Sequence, residues 1–325
     1  DDPMLTFELA ENLKERQRRL ENLRKPIVAA INGTALGGGL EIALCCNYRV
    51  ALNDPNIKIG FPEVTLGILP AAGGIVRSIR LLGLEVALPF LMEGKLVSPD
   101  TAKKVGFIDD TVETIEELFA KAKQYILTNS IVCQPWDKKG YKIPGGTARH
   151  PKIGQMLAIA PAILRKKTQG NYPAPEAILS AAVEGSLVDF ETASRIESRY
   201  FVELVTGKVA KNMINAFWFQ LNKINSGSSR PKGIPSIETN KLGVLGSGLM
   251  GHGITYVAAL NGIEVVMIDS TIENAEKGLD KIKAILDIGI RIGLISKNNK
   301  IEVLKRITAT DEYGKLDGCD LIIEA

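Results

Sequence analysis

The sequence of 325 residues predicts an α/β protein with two domains joined by a helical segment. Short apolar strands alternate with helices in the first part of the chain and again after residue 240, which is typical of α/β architecture. Glycine-rich turns at residues 37–39 and 246–251 each join a predicted strand to a predicted helix. Between the two regions, residues 152–225 carry an almost continuous helical pattern.

The first region is predicted to begin with a helix and to continue with short strands. Residues 7–24 are charged and place Leu9, Leu13, Leu20 and Leu23 at helical spacing, which predicts an amphipathic surface helix that Pro26 ends. The next predicted elements are strands at 27–31, 48–52 and 57–60 and helices at 40–46, 84–106 (broken near residues 94 and 98) and 115–129.

Composition divides the rest of the chain. Residues 134–151 are rich in proline and glycine and predict a loop, and residues 226–235 have the composition of a linker. An apolar strand near Lys241 starts a new domain. We therefore expect three parts, at residues 1–135, 136–238 and 239–325.

Charge and residue usage exclude several classes of function. The 40 basic and 37 acidic residues leave a net charge of +3, too balanced to favour nucleic acid or a membrane surface as a partner. No apolar run approaches the roughly 20 residues of a transmembrane segment. The four cysteines form no C-x-x-C pair, which indicates a reduced, intracellular protein, and two histidines cannot build a His-based metal cluster.

The two ends of the sequence are unusual for a complete protein. Residue 1 is aspartate, and the last residues, 321–325, lie within a predicted buried strand. A domain rarely ends there, because the edge of the sheet would be left unfinished. We therefore expect a fragment cut at both ends.

Two glutamates beside a glycine cluster form the first candidate site. The cluster precedes a helix, so the N–H of Gly38 is expected at a helix N-terminus, where the dipole favours developing negative charge. Glu41 lies in the first turn of that helix, and Glu63 follows 22 residues later, after the next strand. Two carboxylates there predict water addition to, or proton transfer next to, an activated carbonyl. Each feature alone has a plainer interpretation: a packing turn, a helix-start carboxylate or a solvated glutamate.

A dinucleotide site is predicted near the end of the chain. The strand at 242–245 precedes a G-x-G-x-x-G pattern, and Asp269 comes 18 residues after its third glycine, at the end of a second strand. The pyrophosphate would bind at the helix N-terminus. Asp269 would bind the ribose hydroxyls and repel a 2′-phosphate, which favours NAD over NADP. The predicted cofactor-binding residues are Gly246, Gly248, Met250, Gly251 and Asp269.

The first site resembles the crotonase (enoyl-CoA hydratase/isomerase) superfamily. The matching stretches are residues 25–33, Ala35 to Glu41, and 61–70 with the following glycine pair at 73–74. The resemblance implies a spiral ββα fold in which Glu41 and Glu63 hold the water that adds to a trans-2-enoyl-CoA. It also implies that the Gly38 N–H is one of two oxyanion donors, the other lying in an earlier loop that this chain does not contain.

One position departs from the crotonase pattern. The family usually has glycine where this chain has Ala71, and that N–H often touches the catalytic water. Alanine keeps the N–H but adds a methyl group and restricts φ, so we expect slower hydration but not a dead site. The presence of both glutamates favours a hydratase, because relatives specialised for isomerisation usually keep only one.

The later part of the chain resembles the NAD domain of 3-hydroxyacyl-CoA dehydrogenases, in the glycine pattern, in Asp269 and in residues 322–325. In that family a His–Glu pair on a later segment does the proton chemistry, so His252 is not expected to be catalytic.

Residues 166–175 match the linker of fatty-acid oxidation complex α-subunits, including the mitochondrial trifunctional type. In that family the aromatic run at 217–220 packs near the acyl tunnel; a plain aromatic cluster is an equal alternative.

Together the resemblances imply a β-oxidation enzyme that hydrates enoyl-CoA and, in the full polypeptide, oxidises the product with NAD. They imply acyl-CoA substrates, a thiolase β-subunit partner, and the bacterial cytoplasm or the mitochondrial matrix. Two alternatives stay open. One is a crotonase-fold isomerase or thioester hydrolase, and the other is a non-catalytic NAD-binding scaffold subunit, for which Ala71 is the only hint.

Overall fold

A computed structural model describes residues 2–291 and 295–325. The chain forms two compact units, Asp1–Ser229 and Arg230–Ala325. Among the described residues, no helix is both long and apolar enough to cross a membrane.

The first unit begins with two small sheets and their helices. The order β1–β2–α2 and then β3–β4–α3 repeats a ββα pattern. One sheet is parallel, in the order β1-β3-β6, and the other has the order β2-β4-β5 with an antiparallel β5. The elements are α1 (Pro3–Glu21), β1 (Val28–Ile31), β2 (Ala35–Leu36), α2 (Gly38–Cys45), β3 (Tyr48–Leu52), β4 (Ile59–Gly60), α3 (Gly74–Leu82), α4 (Leu84–Glu93), β5 (Leu96–Val97), α5 (Pro99–Val105), β6 (Asp110–Val112) and α6 (Ile115–Thr128).

Helices occupy most of the remainder of this unit, as predicted. Helix α8 packs on α9 and α4, and α9 packs on α1. One apolar core includes Leu44 and Phe61 from the first region and Ile178 and Leu204 from the helical one. The helices are α7 (Pro151–Thr168), α8 (Pro173–Gly185), α9 (Phe190–Thr206), α10 (Lys208–Ile214), a π-helical turn (Asn215–Gln220) and α11 (Leu221–Asn225). The predicted boundaries at residues 135 and 238 stay predictions.

Helix α1 buries a polar face rather than the face that carries its leucines. Leu9 and Leu13 are exposed, whereas Lys14, Gln17 and Glu21 are buried. The polar face is buried because it meets polar partners: Lys14 Nζ donates to the Ser194 carbonyl oxygen on α9, and Glu21 pairs with a buried arginine on α3. The prediction from leucine spacing was therefore wrong about the buried face.

Of the helices α5 and α3, only α5 was predicted from the sequence. The predicted break near residue 98 is confirmed, because a new helix, α5, begins there with Ser98 Oγ accepting the Thr101 N–H at 3.4 Å. Helix α3 was not predicted, because it starts at Gly74 directly after a second glycine.

The second unit is a parallel sheet with helices. Its strand order, β10-β7-β8-β9, is that of half a doubly wound dinucleotide-binding fold. In such folds the ligand binds outside the carboxyl ends of the strands where the strand order reverses, here between β7 and β10. The elements are β7 (Lys241–Leu245), α12 (Leu249–Leu260), β8 (Glu264–Ile268), α13 (Ile272–Arg291), α14 (Lys297–Lys305), β9 (Ile307–Thr310) and β10 (Leu321–Glu324).

Candidate active site and dinucleotide site

A sharp glycine turn between β2 and α2 brings the two predicted glutamates together. Gly37 has φ +52°, and a Cβ there would lie 2.4 Å from Glu63 Oε1. Gly38 is the first residue of α2, so its N–H has no acceptor within the helix. A Cβ on Gly38 would lie 3.9 Å from Glu41 Oε2. Both carboxyl groups therefore flank the Gly37–Gly38 turn.

Glu41 is buried, and one of its two carboxyl oxygens accepts two backbone N–H groups. Its side chain lies in the first turn of α2 and is 3% exposed. Oε1 accepts the N–H of Ala72 at 2.7 Å and of Gly74 at 2.8 Å. Burial, reinforced by the charges of Glu197 and Glu63, raises the pKa of Glu41 to about 8, although the two N–H donors oppose the rise. At neutral pH this carboxyl group can carry a proton and donate it.

Glu63 opens a short 3-10 turn after β4. Its Oε2 is buried and has no hydrogen-bond partner among the described residues. Burial is the main cause that raises the pKa of Glu63 to about 7; its own N–H opposes the rise, and the charge of Glu197 adds to it. Two neighbouring carboxyl groups titrate as a pair, so the acid role and the base role are assigned to the pair and not to either glutamate alone.

The raised pKa of Glu41 predicts that the folded state loses stability at high pH. Its folded pKa of about 8 lies above the usual 4.5, so the folded state binds more protons. Its contribution is full below pH 4.5 and disappears as pH rises through about 8. Glu41→Gln needs no proton, so from pH 5 to 9 the wild type should lose stability relative to the variant, by on the order of 2–4 kcal/mol.

Urea unfolding at several pH values measures this difference. Glu203→Gln, which changes an exposed glutamate on α9, is the matched control and should follow the wild type at every pH. Identical pH dependence for the wild type and Glu41→Gln would contradict the raised pKa.

Ala71 fits its backbone without strain. Among the described non-glycine residues, only Arg24 and Gln169 have a positive φ. Ala71 therefore lies outside the left-handed region that favours glycine. Restricted φ therefore gives no reason for slower hydration at this position, and the effect of the added methyl group stays a prediction.

A third carboxylate lies at this site and was not predicted. Glu197, on α9, is fully buried. It accepts N–H groups from Gly73, Ile75 and Val76 at 2.8, 3.0 and 3.1 Å. No local pattern indicated it, because a glutamate within a charged helix usually faces solvent.

The glycines of the second unit have separable roles. A Cβ on Gly251 would lie 1.8 Å from the Gly246 carbonyl oxygen, so glycine allows α12 to approach the turn. Gly246 itself has φ +99°, which favours glycine. Gly248 caps α12, and a Cβ there would meet nothing within 4 Å. Met250 is 64% exposed beside it. This N-terminus has room for a phosphate group.

Asp269 joins the end of β8 to the glycine turn. Its Oδ2 accepts the N–H and the hydroxyl of Ser247 at 2.8 and 2.6 Å. These hydrogen bonds lower the pKa of Asp269 to about 2, so the group stays ionised. His252 is buried on α12 with its Nδ1 against the Gly248 carbonyl oxygen. The structure thus brings together the glycine turn and Asp269, as predicted from the motif.

Comparison with known proteins agrees with this geometry. Residues 5–131 match the family model for enoyl-CoA hydratase/isomerase, and residues 241–325 match that for the 3-hydroxyacyl-CoA dehydrogenase, NAD binding domain. Fatty acid oxidation complex subunit alpha of Shewanella putrefaciens (strain CN-32 / ATCC BAA-453) is 32% identical over 313 residues, or 94% of this chain. The chain is a homologue of fatty acid oxidation complex α-subunits. This confirms the predicted family and the crotonase-like fold followed by an NAD-binding domain.

A second curated relative and a solved structure are also similar to this chain. The corresponding subunit of Shewanella halifaxensis (strain HAW-EB4) is 33% identical over 94% of this chain. This chain spans 43% of the length of both curated relatives. Among solved structures, enoyl-CoA hydratase from Bacillus anthracis is 25% identical, covers 68% of this chain and 69% of its own, and has a TM-score of 0.37.

Proposed function

We propose that the site formed by Glu41, Glu63 and the Gly38 N–H adds water to a trans-2-enoyl-CoA in fatty-acid β-oxidation. The observation that carries this proposal is the pair of carboxyl groups with raised pKa values flanking a glycine turn at a helix N-terminus. A pair that titrates near neutral pH can hold one proton between its members, as hydration requires. The family match of residues 5–131 supports the substrate class.

Each group in the proposed reaction has a defined task. The Gly38 N–H donates to the thioester oxygen and stabilises the negative charge that develops there, assisted by the dipole of α2. The ionised member of the glutamate pair accepts a proton from water as the water oxygen bonds to the β-carbon. The protonated member gives its proton to the α-carbon. One water molecule is added, and the pair again holds one proton.

The second unit is proposed to bind NAD through Gly246, Gly248, Met250, Gly251 and Asp269. The open space at Gly248 and the ionised Asp269 fit a dinucleotide. Bound NAD would accept a hydride, and we propose that the full-length protein uses it to oxidise the 3-hydroxyacyl product. Residues of this chain bind and orient the cofactor.

Asp269 is expected to select NAD over NADP. Asp269→Asn removes a charge that hydrogen-bonds ribose hydroxyls and repels a 2′-phosphate, so NADH affinity should fall about 10- to 100-fold. The preference over NADPH should shrink with it. Fluorescence titration with both cofactors measures the two affinities, and Asp311→Asn, exposed in the same unit, should bind like the wild type. Equal affinities of the wild type for NADH and NADPH would contradict this role.

Partner and location are proposed from the relatives. Their name, complex subunit alpha, supports a second subunit, and we propose a thiolase β-subunit. The relatives are bacterial, which favours the bacterial cytoplasm over the mitochondrial matrix.

The test of the proposed function is product analysis on the full-length protein without NAD. We expect crotonyl-CoA and a longer enoyl-CoA to lose their conjugated thioester absorbance and to gain the mass of one water. A shifted double bond at unchanged mass would indicate an isomerase, and released CoA a thioester hydrolase. No reaction with any enoyl-CoA would favour the scaffold alternative.

A further inference from the structure

We propose that Glu197 is a positioning residue for Glu41: it holds residues 72–76 in the backbone conformation that presents two N–H groups to the Glu41 carboxyl group. This inference deepens the proposed hydratase function and rests on it. It also gives the helical region of the first unit a part in the active site, because Glu197 lies on α9.

Two carboxyl groups share the backbone donors of one short segment. Glu41 Oε1 accepts the N–H of Ala72 and Gly74 at 2.7 and 2.8 Å. Glu197 accepts the remaining three N–H groups of residues 72–76, at 2.8 to 3.1 Å. Every N–H from residue 72 to residue 76 is therefore bonded to one of the two glutamates.

Among the described residues, no other acceptor bonds to these donors. Helix α3 starts at Gly74, so the N–H groups of its first turn have no acceptor within the helix. Gly73 has φ +91°, a left-handed conformation that turns the chain just before the helix. Without Glu197, three buried N–H groups would lose their acceptor, at a cost that favours movement of the segment. Movement of the segment would also move the donors of Glu41.

Glu197 is itself fixed and charge-compensated. It is fully buried, and its Oε1 lies 3.7 Å from Lys14 Nζ on α1. Lys14 also donates to the Ser194 carbonyl oxygen, one turn earlier on α9. Burial raises the pKa of Glu197, whereas the charges of Lys14 and Arg77 and the N–H donors oppose the rise. The buried polar face of α1 is thus part of the support for the active site.

The charge of Glu197 reaches both catalytic carboxyl groups. It contributes to the raised pKa of Glu41 and to that of Glu63. Removing this charge alone should lower the pKa of Glu41, whereas weakening of the Ala72 and Gly74 N–H donors should raise it. The titration of Glu41 therefore does not separate the two effects. The position of the segment is reported instead by kcat and by the amide N–H signals of Ala72 and Gly74.

The experiment compares Glu197→Gln with the wild type in the full-length protein. Glutamine lacks the charge and turns an NH2 group toward N–H donors, so the segment should shift. We expect kcat for hydration to fall about 10- to 100-fold with KM nearly unchanged, because a small displacement of an aligned group has costs of this size. The amide N–H signals of Ala72 and Gly74 in ¹H–¹⁵N NMR should also shift, because their hydrogen bonds to Glu41 weaken.

Two further variants keep the test decisive. Glu197→Asp retains the charge on a shorter side chain, so it should recover part of the lost kcat, and it replaces Glu197→Gln if that variant does not fold. Glu203→Gln, exposed on the same helix, should match the wild type.

Each outcome has a defined meaning. A lower melting temperature with wild-type kcat and wild-type amide signals of Ala72 and Gly74 would overturn the inference, because Glu197 would then only stabilise the fold. If the wild type does not hydrate enoyl-CoA but Glu197→Gln still shifts the Ala72 and Gly74 amide signals, the proposed function fails while the positioning role of Glu197 stands.

Discussion

Glu41→Gln and Glu63→Gln are each expected to reduce the rate of enoyl-CoA hydration by about 10²–10⁴-fold, the usual cost of losing one acid or base group. Glutamine has nearly the same shape as glutamate and can still accept the N–H groups of Ala72 and Gly74 at residue 41. It cannot exchange a proton with water or substrate. The loss should therefore appear in kcat, with little change in the affinity for the CoA thioester.

Initial rates with crotonyl-CoA over a range of concentrations separate these two effects. Glu116→Gln, an exposed substitution on α6, is the matched control and should keep wild-type kinetics. If both active-site variants hydrate as fast as the wild type, the two glutamates are structural. The favoured function would then be that of a non-catalytic NAD-binding scaffold subunit.

Glu21→Gln is expected to destabilise the first unit by about 3–5 kcal/mol, as is usual when one partner of a buried ion pair is removed. Glu21 Oε1 lies 2.7 Å from Arg77 Nε, and the two side chains are 0% and 1% exposed. The variant leaves a buried guanidinium without its carboxylate. Arg77 also donates to the Ala72 carbonyl oxygen, so the loss should extend to the segment that holds Glu41.

The matched control for this prediction is an exposed ion pair in the same unit. Glu85 and Lys152 pair at 2.8 Å, but their side chains are 52% and 69% exposed. Glu85→Gln should cost about 0–1 kcal/mol. Urea unfolding of both variants measures the difference, and a loss for Glu21→Gln as small as that for Glu85→Gln would contradict the buried-pair account.

Local sequence patterns predicted those parts of the site that depend on neighbours in the chain. Glycine before a helix requires a particular backbone, and this requirement located Gly38, Glu41 and the dinucleotide turn from the sequence alone. The strand predicted at residues 48–52 is present as β3 (Tyr48–Leu52), because strand formation also depends on neighbours in the chain.

Partners distant in the chain were not predictable in this way. Glu197 reaches this site only because α9 packs on α3, and Lys14 reaches Glu197 only because α1 packs on α9. No spacing rule connects those three segments. The buried face of α1 was predicted wrongly for the same reason. Its polar residues are buried because their partners lie on other helices, which a periodicity of apolar residues cannot show.

Glu41 and Glu63 are expected to act as one unit on water and substrate. The most direct test is the hydration rate of the wild type, both single glutamine variants and the double variant. Groups that act together are strongly non-additive, so the double variant should be about as slow as the slower single one. Losses that multiply, or single variants that match the wild type, would contradict the claim.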